Sequence, residues 1–141
     1  MKIGIASDHR GYELKSKIIE KLSNKYEFID FGTNSTESVD YPLFAKKLCD
    51  HINEFDKGIL ICGTGTGISI AANKVKGIRC GKVINKEEAF LAASHNNANV
   101  IAFGENTEDY IEIVETFIES EFSNMESHAR RVNQINEIEN A

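Results

Sequence analysis

Lys57 to Cys62 (KGILIC) is a continuous, largely apolar run that opens directly into Gly63-Thr64-Gly65-Thr66-Gly67. Such a run, with no polar alternation, fits a central parallel strand buried on both faces. The rest of the chain must then supply flanking strands and crossover helices, and its pattern does so. Lys2 to Ser7 reads as a first strand, followed by Leu14, Ile18 and Leu22 at helical spacing with Ile19 beside them. Glu27 to Phe31 reads as a second strand, ended by Gly32. Phe44, Leu48, Ile52 and Phe55 predict a helix that starts near Asp40 and Pro42, a cap followed by proline. Beyond the glycine loop the pattern predicts a helix over Ile68 to Lys74, a strand over Ile78 to Ile84 and a helix over about Lys86 to Ser94. A fifth strand covers Val100 to Phe103, and Ile111, Val114 and Ile118 mark another helix. A last helix covers about Glu126 to Glu139, with Val132, Ile135 and Ile138 as its apolar stripe. Alternation of this kind predicts βαβ units and a mostly parallel sheet with helices on both faces.

The 141 residues fit one domain, 1–141, with no linker, repeat or low-complexity segment. A net charge of -6 argues against a nucleic-acid surface, which needs a basic patch. It leaves room for an anionic substrate in a locally positive pocket. No apolar run approaches the roughly 20 residues of a membrane span, and none near the N-terminus suits a signal peptide. Cys49, Cys62 and Cys80 are odd in number and lack C-x-x-C spacing, so neither a disulfide framework nor a structural metal site is expected. Reduced thiols in the cytoplasm are the simplest reading.

In parallel α/β sheets, ligands bind at the carboxyl ends of the strands. That rule selects Ser7 to Gly11, Gly32 to Thr33, Cys62 to Gly67, Val83 to Asn85 and Phe103 to Gly104 as the rim. The sharpest signal on it is Cys62-Gly63-Thr64-Gly65-Thr66-Gly67. Consecutive N–H groups in a glycine loop form an anion nest, and the following helix adds partial positive charge. An enediolate would be stabilised there. A thiol facing such a nest carries more thiolate at neutral pH, so base and charge-stabilising hole would lie side by side. Known phosphate loops do not fit: no Lys follows as in the Walker pattern, and the spacing is G-x-G-x-G rather than G-x-G-x-x-G. Ile68 stands where a cysteine phosphatase would carry arginine. A lone cysteine here would read as a buried strand-end residue. The alternating glycines and threonines favour function.

Asp8 and His9 end the first strand, where His9 could meet an anion and Asp8 could equally cap a helix. His95, in Ser94-His95-Asn96-Asn97, suits an acid or base near pH 7, but also a helix C-terminus favoured by the dipole. His51 reads as the outward side of a helix and receives no role. His128 and Arg131 are three apart on one helix face with Val132 and Ile135, so they should point toward packed protein, with Arg130 turned away. A cation there needs an anionic partner, either a substrate phosphate or a carboxylate of this acidic chain.

Together these residues resemble the type B ribose-5-phosphate isomerase family, which includes allose- and galactose-6-phosphate isomerases. The resemblance covers nearly the whole chain. It rests on Ser7-Asp8-His9, Phe31-Gly32-Thr33, Ser38 to Pro42 and above all Ile61 to Lys74 (ICGTGTGISIAANK). Gly77-Ile78-Arg79, His95 to Val100, Phe103-Gly104, and His128 with Arg131-Val132 extend it. The resemblance implies a Rossmann-like three-layer α/β/α sandwich with a five-stranded parallel sheet in order 2-1-3-5-4. It implies a homodimer or higher homo-oligomer with sites shared between subunits, the last helix packing on a partner, and no metal or cofactor. By motif position, Cys62 would move the proton of an enediol intermediate, while Thr64 with Gly63, Gly65, Thr66 and Gly67 would hold its oxygen. His95, helped by Asn96, would open the sugar ring. Asp8, His9, Asp40 and Tyr41 would line the site, and His128 and Arg131 would meet the phosphate.

Two departures bear on phosphate. Relatives commonly carry arginine immediately before the histidine matched by His128, and two residues after the glycine matched by Gly104. Ser127 and Asn106 stand there. The chemistry expected is ribose 5-phosphate to ribulose 5-phosphate isomerisation. A six-carbon sugar phosphate, or a non-catalytic sugar-phosphate-binding module, is the alternative. A flavodoxin-like receiver or flavin protein is weaker, since no acidic cluster marks the strand ends.

Overall fold

The computed structural model describes residues 1–141. In chain order the elements are β1 (Lys2–Ser7), α1 (Tyr12–Leu22), β2 (Glu27–Asp30), α2 (Tyr41–Cys49), β3 (Lys57–Cys62) and α3 (Thr66–Asn73). They continue with β4 (Cys80–Lys82), α4 (Lys86–Ser94), β5 (Val100–Gly104), α5 (Tyr110–Glu119) and α6 (Glu126–Glu139). The strands form one parallel sheet in the order β2-β1-β3-β5-β4, the topology the resemblance implies.

β3 is central, pairing Ile59 with Ile5 of β1 on one side and with Ile101 of β5 on the other. Side chains alternate across a strand, so its apolar run feeds two cores. Ile59 and Ile61 enter a core with Leu14, Ile18, Ala89 and Phe117 from α1, α4 and α5. Leu60 and Cys62 enter the opposite one, with Ala45 and Leu48 of α2 and Ile68 and Ala72 of α3. Ile59, Leu60 and Ile61 are fully buried, and each contributes about 1.5–3 kcal/mol relative to exposure. The same alternation aims Cys62 at the face covered by α2 and α3.

Three expectations are corrected. The second helix stops at Cys49, and Ile52 lies instead in a short 3-10 turn, Ile52–Glu54. Phe55 is extended, because its ring fills the slot left by two glycines on adjacent strands. A Cβ on Gly4 would lie 2.7 Å from that ring, and one on Gly58 3.2 Å. The fourth strand is shorter than Ile78 to Ile84, as suits an edge strand paired on one side only. His51 is not on a helix face; it follows α2 and stacks on Phe31 with ring centroids 5.2 Å apart.

Lys15 is a buried cation that the apolar pattern of α1 does not announce. It is 1% exposed, and its Nζ donates to Asp30 Oδ1 and to the Thr33 carbonyl, both at 2.6 Å. It ties α1 to the exit of β2 at the carboxyl edge of the sheet. No helix is long and apolar enough to cross a membrane.

Candidate active site

At the carboxyl end of β3 the chain turns sharply into α3. Gly65 caps that helix with φ 85°, a left-handed backbone that favours glycine. A Cβ there would also lie 2.7 Å from the backbone of Phe103, so β5 seals the loop from behind. The turn brings the Gly65 N–H to 3.2 Å from Cys62 Sγ. The sulfur of Cys62, a residue 4% exposed, thus has a backbone donor directed at it. Thr64 and Thr66 stand exposed above it, Thr64 Oγ1 accepting from the Thr66 N–H (3.2 Å) and Thr66 Oγ1 from Lys82 Nζ (3.0 Å).

The bare glycines let side chains lie directly on the loop. Tyr41 covers Gly67: a Cβ there would be 2.6 Å from its ring and 2.8 Å from its hydroxyl. Arg10 covers Gly63 in the same way, with Nη1 2.5 Å from a Cβ at that position. Asp40 occupies the N-cap position of α2, directly before Tyr41, without making a side-chain cap bond. Asp8 is 4% exposed, and its Oδ1 accepts from the Arg10 and Gly11 N–H groups, both at 3.0 Å. It braces the turn rather than capping α1, whose N-cap is Gly11. His9 Nδ1 accepts from the Val39 N–H at 3.1 Å, so Nε2 is the ring donor it presents. Asp8, His9, Asp40, Tyr41 and Cys62 to Gly67 therefore converge at one edge of the sheet.

His95 and Asn96 do not join them within the chain. Helix α4 runs back from the carboxyl edge, so its C-cap His95 sits where β5 enters the sheet. Asn99, three residues before the middle of that strand, accepts with its carbonyl from Gly58 N–H, four residues before Cys62. At about 3.3 Å per residue, this separates the two groups by roughly 13 Å or more along the sheet. His128 belongs to the His95 end: the two rings stack with centroids 4.1 Å apart. Ser123 Oγ lies 2.6 Å from His128 Nδ1, and the Ser123 N–H donates to the Ser94 carbonyl. Partial burial, then His95 and Arg131, push the His128 imidazole below the usual histidine range.

Within one chain, helix α6 buries only Val132 of its apolar stripe, while Ile135 is 45% and Ile138 77% exposed. Arg131 is exposed too. Arg130 pairs with Glu126 at 2.7 Å on its own helix. Sequence reasoning also missed Arg10 and Lys82. The signal for Arg10 was its place between His9 and Gly11 on the rim; nothing marked Lys82.

Fold and site together define a Rossmann-like α/β enzyme with a cysteine at the carboxyl end of its central strand. The profile of the Ribose/Galactose Isomerase family matches residues 3–135. A ribose-5-P isomerase B from Listeria innocua is 39% identical over 136 residues, which cover 92% of each chain. The solved ribose-5-phosphate isomerase B of Clostridium thermocellum superposes with a TM-score of 0.95 at 49% identity, covering 99% of this chain and 98% of that one. The Mycoplasma genitalium ribose-5-phosphate isomerase B, solved with bound ribulose-5-phosphate, gives 0.91 at 39% identity, covering 99% and 96%. The chain belongs to the ribose/galactose isomerase family.

Proposed function

We propose that this chain interconverts ribose 5-phosphate and ribulose 5-phosphate, with Cys62 as the base. The observation that carries the reading is the Cys62 thiol, held at the head of the Gly63–Gly67 loop with a backbone N–H on its sulfur. In the forward direction, the thiolate takes the proton from C2 of the open-chain aldose. The freed electron pair makes the C1–C2 double bond, and negative charge moves to O1. Thr64 and the loop amides are the donors suited to that oxygen. Return of the abstracted proton to C1, with the O2 proton passing to O1 as the C2 carbonyl forms, completes the ketose.

Ring opening falls to His95, with Asn96 beside it, and phosphate binding to His9, His128 and Arg131. Because one chain keeps Cys62 and His95 at opposite edges of the sheet, the reading requires a second copy. A two-fold pair that lays one chain's carboxyl edge against its partner's β5 entrance would build two such sites. The uncovered Ile135 and Ile138 of α6 supply an apolar surface for the packing. Three unpaired thiols suit the reducing cytoplasm.

The test is direct detection of product from a panel of pentose and hexose phosphates. Turnover of ribose 5-phosphate above all others is expected. Preference for allose or galactose 6-phosphate would move the substrate to six carbons, in line with Asn106 and Ser127. Thermal stabilisation by sugar phosphates without any interconversion would make the chain a binding module.

A further inference from the structure

Arg10 lies on the Cys62 loop for reasons that its own sequence neighbourhood does not explain. Asp8 Oδ1 accepts from the backbone N–H groups of Arg10 and Gly11, so the turn that carries the side chain is fixed. The guanidinium is then held at one atom: Arg10 Nε donates to Glu105 Oε2 at 2.5 Å. Glu105 is itself anchored to the loop, its N–H donating to the Gly63 carbonyl at 3.2 Å. This places the guanidinium over Gly63, where any side chain would collide with it. An arginine has five N–H donors, and Glu105 takes the one on Nε. The four on Nη1 and Nη2 make no hydrogen bond within the chain, although the guanidinium is held through Nε and its backbone through Asp8.

Charge on this side of the molecule makes those donors significant. Asp8, through the Arg10 turn, and Glu105 approach the loop, against Arg10 and Lys82 as its cationic contacts. Within one chain, Arg131 and His128 lie at the other end of the sheet, so only a paired copy could bring theirs to this edge. A sugar phosphate that enters the Cys62 edge brings a dianion, and the planar fork of an arginine suits phosphate better than any other side chain.

We propose that Arg10 is a substrate-binding residue whose Nη1 and Nη2 hold the phosphate group of the sugar phosphate, with Glu105 orienting the fork. The proposal rests on the isomerase reading for its substrate, and on the geometry of Arg10 alone for its phosphate.

The alternative is that Arg10 and Glu105 form only a strap between the β1 and β5 exits. The two roles differ in outcome. A strap carries no phosphate, so Arg10→Ala would lower the melting temperature and leave phosphate affinity unchanged. If Arg10 binds phosphate, Arg10→Ala weakens binding, while Glu105→Gln keeps an oxygen to accept from Nε, removes the negative charge beside the fork and leaves binding equal or tighter. The experiment measures binding of inorganic phosphate by calorimetry to wild type and both variants, beside ribose 5-phosphate kinetics, with melting temperature as the folding control. Arg10→Ala should weaken phosphate binding and raise KM by about tenfold, with kcat changed far less. Arg10→Lys should recover part of the loss, since it restores charge without the fork. Loss of phosphate affinity in both Arg10→Ala and Glu105→Gln would overturn the proposal, as would phosphate affinity unchanged in Arg10→Ala. Wild type that binds phosphate through Arg10 yet turns over no sugar phosphate would overturn the isomerase reading and leave Arg10 as an anion site.

Discussion

At the carboxyl edge of the sheet, Cys62 is 4% exposed, and its loop is shaped by backbone hydrogen bonds and by glycines pressed against β5, Arg10 and Tyr41. At the opposite edge, His95 and Asn96 are exposed, and His95 is steadied by one stacked ring, His128, from a helix whose apolar stripe is uncovered at two of its three residues. One edge is pre-organised by the fold of a single chain; the other is left open. Proton transfer between carbons demands a base and an oxyanion hole fixed to within a fraction of an ångström, and a sheet edge supplies that. A ring-opening histidine and phosphate-binding side chains can be delivered by a partner, provided that the partner docks in one register. The comparison teaches that the two edges should fail differently when altered.

The largest effect is expected at the pre-organised edge. Cys62→Ala should lower isomerisation by at least about 10²–10⁴-fold with the fold retained, read by turnover and circular dichroism. The same variant tests whether the two edges work across subunits. Inactive Cys62→Ala chains, dissociated and re-paired with inactive His95→Asn chains, should regain about a quarter of wild-type activity, since half the pairs are mixed and each holds one intact site. No recovery would place both residues in one chain's site.

At the open edge, His95→Asn should slow turnover of cyclic ribose 5-phosphate by about 10²-fold or more, and that of an open-chain substrate much less. Equal losses would move His95 into the enediol step and erase the division of labour between the edges.

A smaller effect separates the thiols. Burial, with Asp50 nearby, pushes Cys49 up to about 12, and burial pushes Cys80 higher still. Relative to an ordinary thiol near 8.5, Cys49 holds about 10³-fold less thiolate at neutral pH. Iodoacetamide on the folded protein should therefore label Cys62 first, and sugar phosphate should protect it. Labelling of Cys49 ahead of Cys62, read by peptide mass, would remove the case for a reactive nest thiol.

The smallest effect concerns His128. Its folded value lies below the unfolded one, so on acidification the unfolded chain takes up this proton first. Stability from this group is full above about pH 6.5 and falls as pH drops toward the folded value. Arg131→Ala should raise the His128 midpoint in an NMR titration. A midpoint at or above the free-histidine value in wild type would show that the ring is not held against His95 and Arg131.

Much of this was legible in the chain because local chemistry carries it. A continuous apolar run followed by alternating glycines specifies a buried strand and a tight turn in any context. Alternating helical and strand periods specify a parallel sheet, and a parallel sheet puts Asp8, His9 and Cys62 on one edge. Periodicity failed where a partner elsewhere in the fold decides the outcome. Ile52 and Phe55 continue a helical spacing, but Phe55 turns away to fill the slot beside Gly4 and Gly58. The apolar pattern of α1 is silent on Lys15, which Asp30 and the Thr33 carbonyl bury.

The candidate site divides in the same way. Sequence alone determined the strand–glycine–helix unit and the residues within a few positions of it, because the forces that shape a turn act over a few residues. Tertiary structure alone decided that Arg10 lies over Gly63 and that Lys82 reaches Thr66, since these contacts join segments of separate strands. It alone decided that His95 stands a strand's length from Cys62. Sequence order does not state which edge of a sheet a loop occupies; the direction of the helix before it does, and α4 carries His95 away from the edge where Cys62 waits.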